Sequence, residues 1–498
     1  MASLARTCRL FHLPAIMQIW STQRGFVPLL RCMPDDLWEW GSGGRLVVRA
    51  KRQLVPRDWE RFNYYAVHVR RLCFGQEHMP RVPPGQFADC FTYEAFISFV
   101  EQAPTFPPFC QLRELMWDID FDYPQILVKL FKLFNIDSLK SLEISSFWEN
   151  NLAAVIDLLG TSDSIMETLC IKMHDFDDFS PSIHPLISRS LAQVPFPHLK
   201  VIFAPFIVVD WDAITSLASL RSIQTIDLSL TRHGPHSDVP MVSKTGSPLN
   251  FGMLCLRAEG MSEVADFLGY LAHFGAEELV VFASRAENDD VQITLFHALA
   301  GRCSPTSIRT LSIQISQLSP LPAIIDYHAF HLLFQFRNLA SVTLEYVARF
   351  DIDDSLLSAM ADAWPHLRVF KVSYYSRFFP LGEPRTTLSG LIPLVNKCPQ
   401  LSTLKLPMDT PTTLAEWIKF RKTITSKSLA TTVEFDPITV SKAVTVAAII
   451  TDMFPNISDP RPYGMFTSDF SAGPWGKTRR YISAMVQIRK DSCARIGS

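Results

Sequence analysis

The stretch Leu112-Arg113-Glu114-Leu115-Met116-Trp117 decides how the chain is read, because its L-x-x-L-x-hydrophobic frame returns almost to the C-terminus. The frame recurs as Leu139-x-x-Leu142-x-Ile144, Met166-x-x-Leu169-x-Ile171, Leu199-x-x-Ile202-x-Ala204, Ile223-x-x-Ile226-x-Leu228 and Phe251-x-x-Leu254-x-Leu256. It continues as Leu279-x-Val281, Ile308-x-x-Leu311-x-Ile313, Leu339-x-x-Val342-x-Leu344, Leu367-x-x-Phe370-x-Val372 and Leu401-x-x-Leu404-x-Leu406. From Leu115 to Leu404 there are ten steps of 24 to 34 residues, a period near 29.

One unit shows what the period means physically. From Leu139 to Phe147 the side chains alternate as in a short strand, which predicts Leu142 and Ile144 inward and Ser141, Glu143 and Ser145 outward. Downstream, Leu152, Val155, Ile156 and Leu159 make one stripe of an amphipathic helix, and the stripe recurs in Val264, Phe267, Leu268, Leu271 and in Leu388, Leu391, Ile392, Val395. Neither element buries its apolar face alone, so units stack strand beside strand and helix beside helix. One strand and one helix per unit is the leucine-rich-repeat signature. The expected fold is therefore a right-handed α/β solenoid, a horseshoe of about eleven to twelve repeats, with its parallel sheet on the concave side. A doubly wound α/β domain requires longer buried runs of Val and Ile and glycine-rich turns at strand ends, and the sequence has neither.

The composition suits a large folded chain: 498 residues, 48% hydrophobic and 19% charged. A formal net charge of −2 provides no global basic field for nucleic acid. The 10 cysteines, at 8, 32, 73, 90, 110, 170, 255, 303, 398 and 493, form no C-x-x-C pair and read as apolar thiols of a reducing compartment, cytoplasmic or nuclear. The longest apolar runs, Val201 to Val209 and Val444 to Ile450, fall far short of the roughly 20 residues of a membrane helix, so no membrane partner is expected.

Residues 1 to 20 read M-A-S-L-A-R-T-C-R-L-F-H-L-P-A-I-M-Q-I-W. Leu4, Cys8 and Phe11, then Leu13, Ile16 and Trp20, predict two short helical pieces broken at Pro14. L-A-R-T-C-R-L-F-H-L-P-A-I-M-Q-I-W resembles the second half of an F-box, the module that docks a substrate receptor onto the Skp-type adaptor of a cullin ubiquitin ligase. Pro28 to Pro34, Leu37-Trp38, and the run Asp58-Trp59 through Phe62, Tyr65, Val69 and Leu72 are similar to the linker of F-box leucine-rich-repeat proteins of mushroom-forming fungi. With the repeats, Met453-Phe454-Pro455 and Trp475, the resemblance covers most of the chain. It places adaptor binding on Leu4, Cys8, Phe11, Ile16 and Trp20. The L-P-x-E-L-type entry of the first half is absent, so the segment reads as a truncated box. Two other readings remain open: these residues cap the first repeat, or residues 1 to 34, with Arg6, Arg9, Arg24 and Arg31 and no acid before Asp35, form a transit peptide. Trp20 and the run into Pro28 to Trp38 favour a folded segment.

The expected organisation is a helical box remnant over 1–40, a linker over 41–108, the repeat array over 109–408 and a terminal cap over 409–498. Gly41 to Arg45 make a turn that lacks the G-x-x-x-x-G-K-[ST] pattern of a phosphate loop. Leu54 to Arg61 start a helix, with Pro56 in the first turn and Asp58 and Glu60 behind it. Val69 to Phe74 make the first strand, and Pro80 to Gln111 interrupt the repeats around a short helix near Tyr93 to Glu101. Beyond Leu406 the period lapses into Thr412 to Lys422, a strand at Thr431 to Phe435, and helices at Val440 to Phe454 and Lys477 to Lys490.

No motif for chemistry survives inspection. Asp118-x-Asp120-x-Asp122 begins like a calcium loop, but Tyr123 stands where glycine is needed and Lys129 where a bidentate glutamate is needed, so it reads as an acidic capping turn. His328 and His331 share a helical face with no third ligand placed, and read as a solvated face. His233 and His236 lie in the proline-bearing loop Arg232 to Asn250. There is no H-E-x-x-H or G-x-S-x-G, so neither enzyme nor cofactor is indicated.

What remains is the outward strand face, where repeat proteins bind partners. The pattern places there Glu114, Met116 and Asp118; Ser141, Glu143 and Ser145; Thr168, Cys170 and Lys172; Val201 and Phe203; Thr225 and Asp227. Further along it places Met253 and Arg257, Val280 and Phe282, then Thr310, Gln314, Glu345, Lys371 and Lys405. Val201, Phe203, Val280 and Phe282 are apolar where solvent is expected, which marks an interface unless other segments cover them or the register is off by one. Glu114, Met116, Val201, Phe203, Asp227, Arg257, Val280, Phe282 and Lys371 are the substrate-binding candidates. The resemblance implies a subunit that presents an unidentified protein substrate to a Skp-type adaptor and cullin complex, with an uncoupled interaction scaffold as the alternative.

Overall fold

The computed structural model describes residues 2–40, 45–74, 87–91, 98–103, 107–119, 124–161, 164–173, 184–231, 249–271, 273–285, 289–317, 324–325, 327–345, 349–373, 385–408, 415, 418, 422–424, 429–437, 442–457, 461–462 and 474–496. They form two compact units, Met1–Thr231 and Arg232–Ser498. The sequence readings at 41–44, on Asp120 and Asp122, on His233 and His236, and over most of 80–97 and 412–422 lie outside the described residues.

The first unit holds β1 (Thr22–Arg24), β2 (Trp38–Trp40), β3 (Arg45–Ala50), β4 (Arg71–Phe74), β5 (Phe87–Phe91), β6 (Glu114–Ile119), β7 (Ser141–Ser146), β8 (Thr168–Met173), β9 (Val201–Val209) and β10 (Thr225–Leu230). Its main sheet runs β1-β4-β6-β7-β8-β9-β10 with parallel neighbours throughout. β2, β3 and β5 make a separate three-stranded sheet. Leu115, Leu142, Leu169, Ile202 and Ile226 stand in register, each at most 1% exposed. Between strands come helices Pro124–Phe131, Glu149–Gly160, Pro185–Gln193 and Trp211–Ala218. The predicted stripe Leu152, Val155, Ile156 and Leu159 is buried.

The second unit holds β11 (Leu249–Ala258), β12 (Phe274–Arg285), β13 (Thr310–Gln317), β14 (Ile324–Ile325), β15 (Ser341–Glu345), β16 (Arg349–Phe350), β17 (Val369–Ser373), β18 (Thr403–Met408), β19 (Thr432–Pro437) and β20 (Arg461–Pro462). The order β11-β12-β13-β15-β17-β18-β19-β20 is again parallel throughout. Its helices include Met261–Tyr270, Asp289–Arg302, Asp354–Ala363, Ile392–Lys397, Ala443–Met453 and Pro474–Ile496. Strand, crossover helix and parallel strand, repeated with one inward leucine row, define an α/β leucine-rich-repeat solenoid. No helix among the described residues is long and apolar enough to cross a membrane.

Three local expectations are corrected. The N-terminal break does not fall at Pro14: helices Ala2–Ala5 and Arg9–Trp20 are separated at Arg6 to Cys8, and Pro14 lies inside the second. The carbonyl that Pro14 deprives of a partner belongs to Leu10, an exposed residue, so its loss is cheap. Val69 to Phe74 is not the first rung, because β1 already pairs with β4, Gln23 opposite Leu72. The period does not lapse after Leu406: Leu404 faces Val433 in the same register, so Thr432–Pro437 is another rung.

Acidic side chains tie successive repeats together on the helix side. Glu149 Oε1 accepts the backbone N–H groups of Leu186 (2.6 Å) and Ile187 (3.1 Å), capping the next helix along. Asp354 does the same for the segment ahead of Ile392–Lys397, accepting Thr387 N–H at 2.7 Å and the Thr387 hydroxyl at 2.6 Å. That carboxylate closes onto Gly390, where a Cβ would stand 2.0 Å from Asp354 Oδ1. Gly269 and Gly301 sit in helices with nothing within 4 Å of a Cβ. Gly390→Ala is therefore expected to destabilise by about 1–3 kcal/mol through the displaced cap, whereas Gly269→Ala and Gly301→Ala stabilise by up to about 1 kcal/mol. Denaturant unfolding of the three full-length variants checks the opposite signs.

Candidate interaction face and N-terminal helices

Parallel register sorts the outward side chains of the first unit into straight rows. One row is Arg71, Glu114, Ser141, Thr168, Val201 and Thr225; the next is Cys73, Met116, Glu143, Cys170, Phe203 and Asp227; a third is Asp118, Ser145 and Lys172. Neighbours in these rows bond to one another. Arg71 Nε pairs with Glu114 Oε2 at 3.3 Å and Arg71 Nη2 reaches Met116 Sδ at 3.3 Å. Lys172 Nζ meets Glu143 Oε1 at 2.8 Å, and the Ser145 hydroxyl donates to Asp118 Oδ1 at 3.0 Å. Val201 and Phe203 are half-buried beside this polar network.

Two outward expectations are overturned. Asp227 stands opposite Phe203 as predicted but is 1% exposed, and Ser145 is 2% exposed. The reason for Asp227 is that β10 is buried from Ile226 to Leu230, so this rung is covered on both faces and its alternation is lost. As it stands Asp227 presents nothing to a partner.

At the entry to these strands Glu167 bridges two repeats, meeting Lys140 Nζ and Lys200 Nζ at 2.8 Å each. The hydrogen bond from Lys140, then that from Lys200, pulls its carboxyl down to about 2. The pair is solvated, so its worth is small and salt-sensitive.

In the second unit one row runs Cys255, Val280, Ser312, Thr343, Lys371, Lys405 and Glu434, and the next runs Arg257, Phe282, Gln314, Glu345 and Ser373. The Arg257 guanidinium lies 4.4 Å from the centre of the Phe282 ring, a cation–π contact that uses one ring face. Lys405 Nζ meets Glu345 Oε1 at 3.1 Å across the intervening β17. The face positions Arg71, Cys73, Ser312, Thr343, Ser373 and Glu434 escaped the sequence reading, although each falls at an even spacing within a recognised strand.

The N-terminal helix Arg9–Trp20 divides its candidates. Ala15 and Ile16 are buried, with Ile19, Trp20 and Tyr65 packed on them, and Trp20 stacks on Tyr65 at 4.6 Å. Leu4, Cys8 and Phe11 are exposed. So are Leu10 (79%) and Leu13 (50%), one helical turn apart and ahead of Pro14. An exposed apolar ridge on an anchored helix can dock a partner. His328 and His331 are both exposed on helix Tyr327–His331.

The buried thiols are placed for packing. Cys303 and Cys398 are each pushed up to about 11, first by burial, so both stay protonated at neutral pH.

No family model and no curated protein matches the chain. Among solved structures, the yeast Rad7 and Elc1 complex is similar at 14% identity, covering 77% of this chain and 77% of that one with a TM-score of 0.31. An internalin, InlF, of Listeria monocytogenes is similar at 11% identity, covering 84% and 87% with a TM-score of 0.33.

Two measurements follow. A carboxyl NMR titration is expected to find Glu167 near 2 and to return it to the ordinary range in a Lys140→Ala, Lys200→Ala double variant. Because the folded value lies below the unfolded one, the stabilisation is complete above about 4.5 and is lost as pH falls toward 2. A maleimide at pH 8 is expected to label Cys8, while Cys303 and Cys398 remain unlabelled until denaturant is added.

Proposed function

We propose that this chain is the substrate-recognition subunit of an SCF-type cullin ubiquitin ligase, docking a Skp-type adaptor through its N-terminal helices and a protein substrate through the outward strand face. The observation that carries the reading is the exposed ridge of Leu4, Leu10, Phe11 and Leu13 on helices held in place by Ile16 and Trp20. A surface with that much bare apolar area loses solvation free energy unless a partner covers it. The ridge coincides with the F-box-like sequence. Function on this reading is positional: the chain holds a target near a conjugating enzyme supplied by other subunits. Catalysis belongs to those subunits.

An uncoupled leucine-rich-repeat interaction scaffold is the second reading. It is favoured by the use of Ile16 and Trp20, two of the five adaptor-binding candidates, for internal packing. On that reading the helices chiefly cap the first rung.

The two separate in a pull-down of purified Skp-type adaptor and cullin by the full chain and a Leu10→Glu, Leu13→Glu variant. Removing residues 1–40 would be the wrong control, because it also deletes β1 and the buried Phe26, Leu29, Leu30 and Trp38. Capture by the full chain, with at least a tenfold loss in the variant at unchanged thermal stability, is the expected result. No capture by either sinks the ligase reading and leaves the scaffold.

A further inference from the structure

The row Val280, Ser312, Thr343, Lys371 crosses four neighbouring strands of the second unit in direct register. Its two ends differ in chemistry. At β12, Val280 and Phe282 are half-buried apolar groups on a surface that is otherwise polar. At β17, Lys371 is partly exposed and makes no ion pair or hydrogen bond among the described residues, although Lys405 stands directly opposite it on β18. Two lysines facing each other across a parallel ladder repel. Glu345 answers only Lys405.

A second observation falls at the same place. Ser373, two residues beyond Lys371 on the same side of β17, is 2% exposed, and its hydroxyl is buried with no hydrogen-bond partner. Leaving such a group unpaired has a cost that a bound acceptor removes. It stands opposite Glu345, so the Lys405–Glu345 bridge, which spans β17, passes beside it. Lys371 is thus the half-exposed cation on this stretch that the flanking bridge leaves unanswered.

We propose that this row binds an extended peptide whose carboxylate side chain is held by Lys371, while an apolar residue four positions away rests on Val280 and Phe282. Three strand spacings of about 4.8 Å separate the two ends, about 14 Å, and an extended chain covers that in four residues at about 3.4 Å each. Four is an even number, so both anchoring side chains point to the same side of the peptide. Ser312 and Thr343 lie between and offer hydroxyls to its backbone. A carboxylate fits better than a phosphate dianion: one cation is unengaged, and Glu345 and Glu434 flank the two lysines on either side. This deepens the substrate-binding part of the proposed function and stands equally on the scaffold reading, since it does not depend on the N-terminal helices.

The test is selection of random twelve-residue peptides displayed on phage against the immobilised full chain. Enriched peptides are expected to carry Asp or Glu four positions from Leu, Phe or another large apolar residue. Selection on Lys371→Glu is expected to keep the apolar preference and replace the acid by Lys or Arg. For one synthetic selected peptide, fluorescence polarisation should show at least a tenfold weaker Kd for Lys371→Met, and less than twofold once the peptide's acid is changed to its amide. No enrichment, enrichment without the acid, or an acid preference that survives Lys371→Glu overturns the proposal, as does tighter binding of a phosphoserine version of the peptide. Adaptor capture by the Lys371→Glu chain, measured alongside, reads the ligase assignment separately, and an unchanged thermal unfolding transition reports that the variant is folded.

Discussion

Everything in this fold depends on one backbone carbonyl per repeat that accepts two N–H groups from the next. The oxygen of Ser21 takes Arg70 and Arg71, that of Arg70 takes Arg113 and Glu114, and that of Arg113 takes Lys140 and Ser141. Lys140, Glu167 and Lys200 repeat the pattern in turn. In the second unit Arg309, Ala340, Arg368 and Ser402 do the same. A shared acceptor at the start of each strand leaves it no freedom to slip, and a slip of one residue would turn every leucine of that strand toward solvent. Each such bond is worth about 1 kcal/mol net, but its larger effect is to align the inward row, whose burial supplies most of the stability. Sequence spacing then becomes geometry: residues at the same place in successive repeats stand in a straight line on the outer face.

The helix side is looser. Glu149 and Asp354 each cap the segment of the following repeat, yet the helices differ widely in length, with fourteen residues in Asp289–Arg302 and six in Ile392–Lys397, which a three-residue 3-10 turn precedes. The strands also differ in length, but their register does not, because their partners are fixed backbone groups, whereas helices meet through side chains that can repack. At the N-terminal end Arg52 bonds Asp58 twice, at 2.7 and 2.9 Å, and Asp36 at 2.8 Å, tying the chain ahead of β2 to the start of helix Trp59–Ala66.

This division explains what could be read from the sequence. The frame from Leu115 to Leu404 and the stripes of Leu152 and Val264 were legible because burial imposes a period that no other arrangement shares. β1 and β19 were not read as rungs of the same sheet, since Thr22–Arg24 lacks the leucine frame and the frame at Thr432–Pro437 carries Ala430, Val433 and Phe435 in place of leucine. Their membership shows only in the shared carbonyls of Ser21 and Ser402. Pro14 signals a break because it removes one helical hydrogen bond, and only the exposure of Leu10 in the fold makes that loss cheap. Asp227 was placed correctly along the strand and wrongly relative to solvent, since alternation reports direction and says nothing of what lies above. Leu10, Leu13 and Ser373 belong to the same class: the sequence gives their side, and only the surrounding chain decides whether they are bare, covered or unpaired.

The outer features that serve no packing role are therefore the informative ones. An inward leucine is explained by about 2 kcal/mol of burial and needs no partner beyond its own chain. The facing lysines of β17 and β18, the unpaired Ser373 hydroxyl and the bare ridge at Leu10 each oppose stability by about 1 kcal/mol or more. An array whose inward rows are this regular has stability in hand to carry them. Neither register nor core requires any of the three, which separates them from the inward rows.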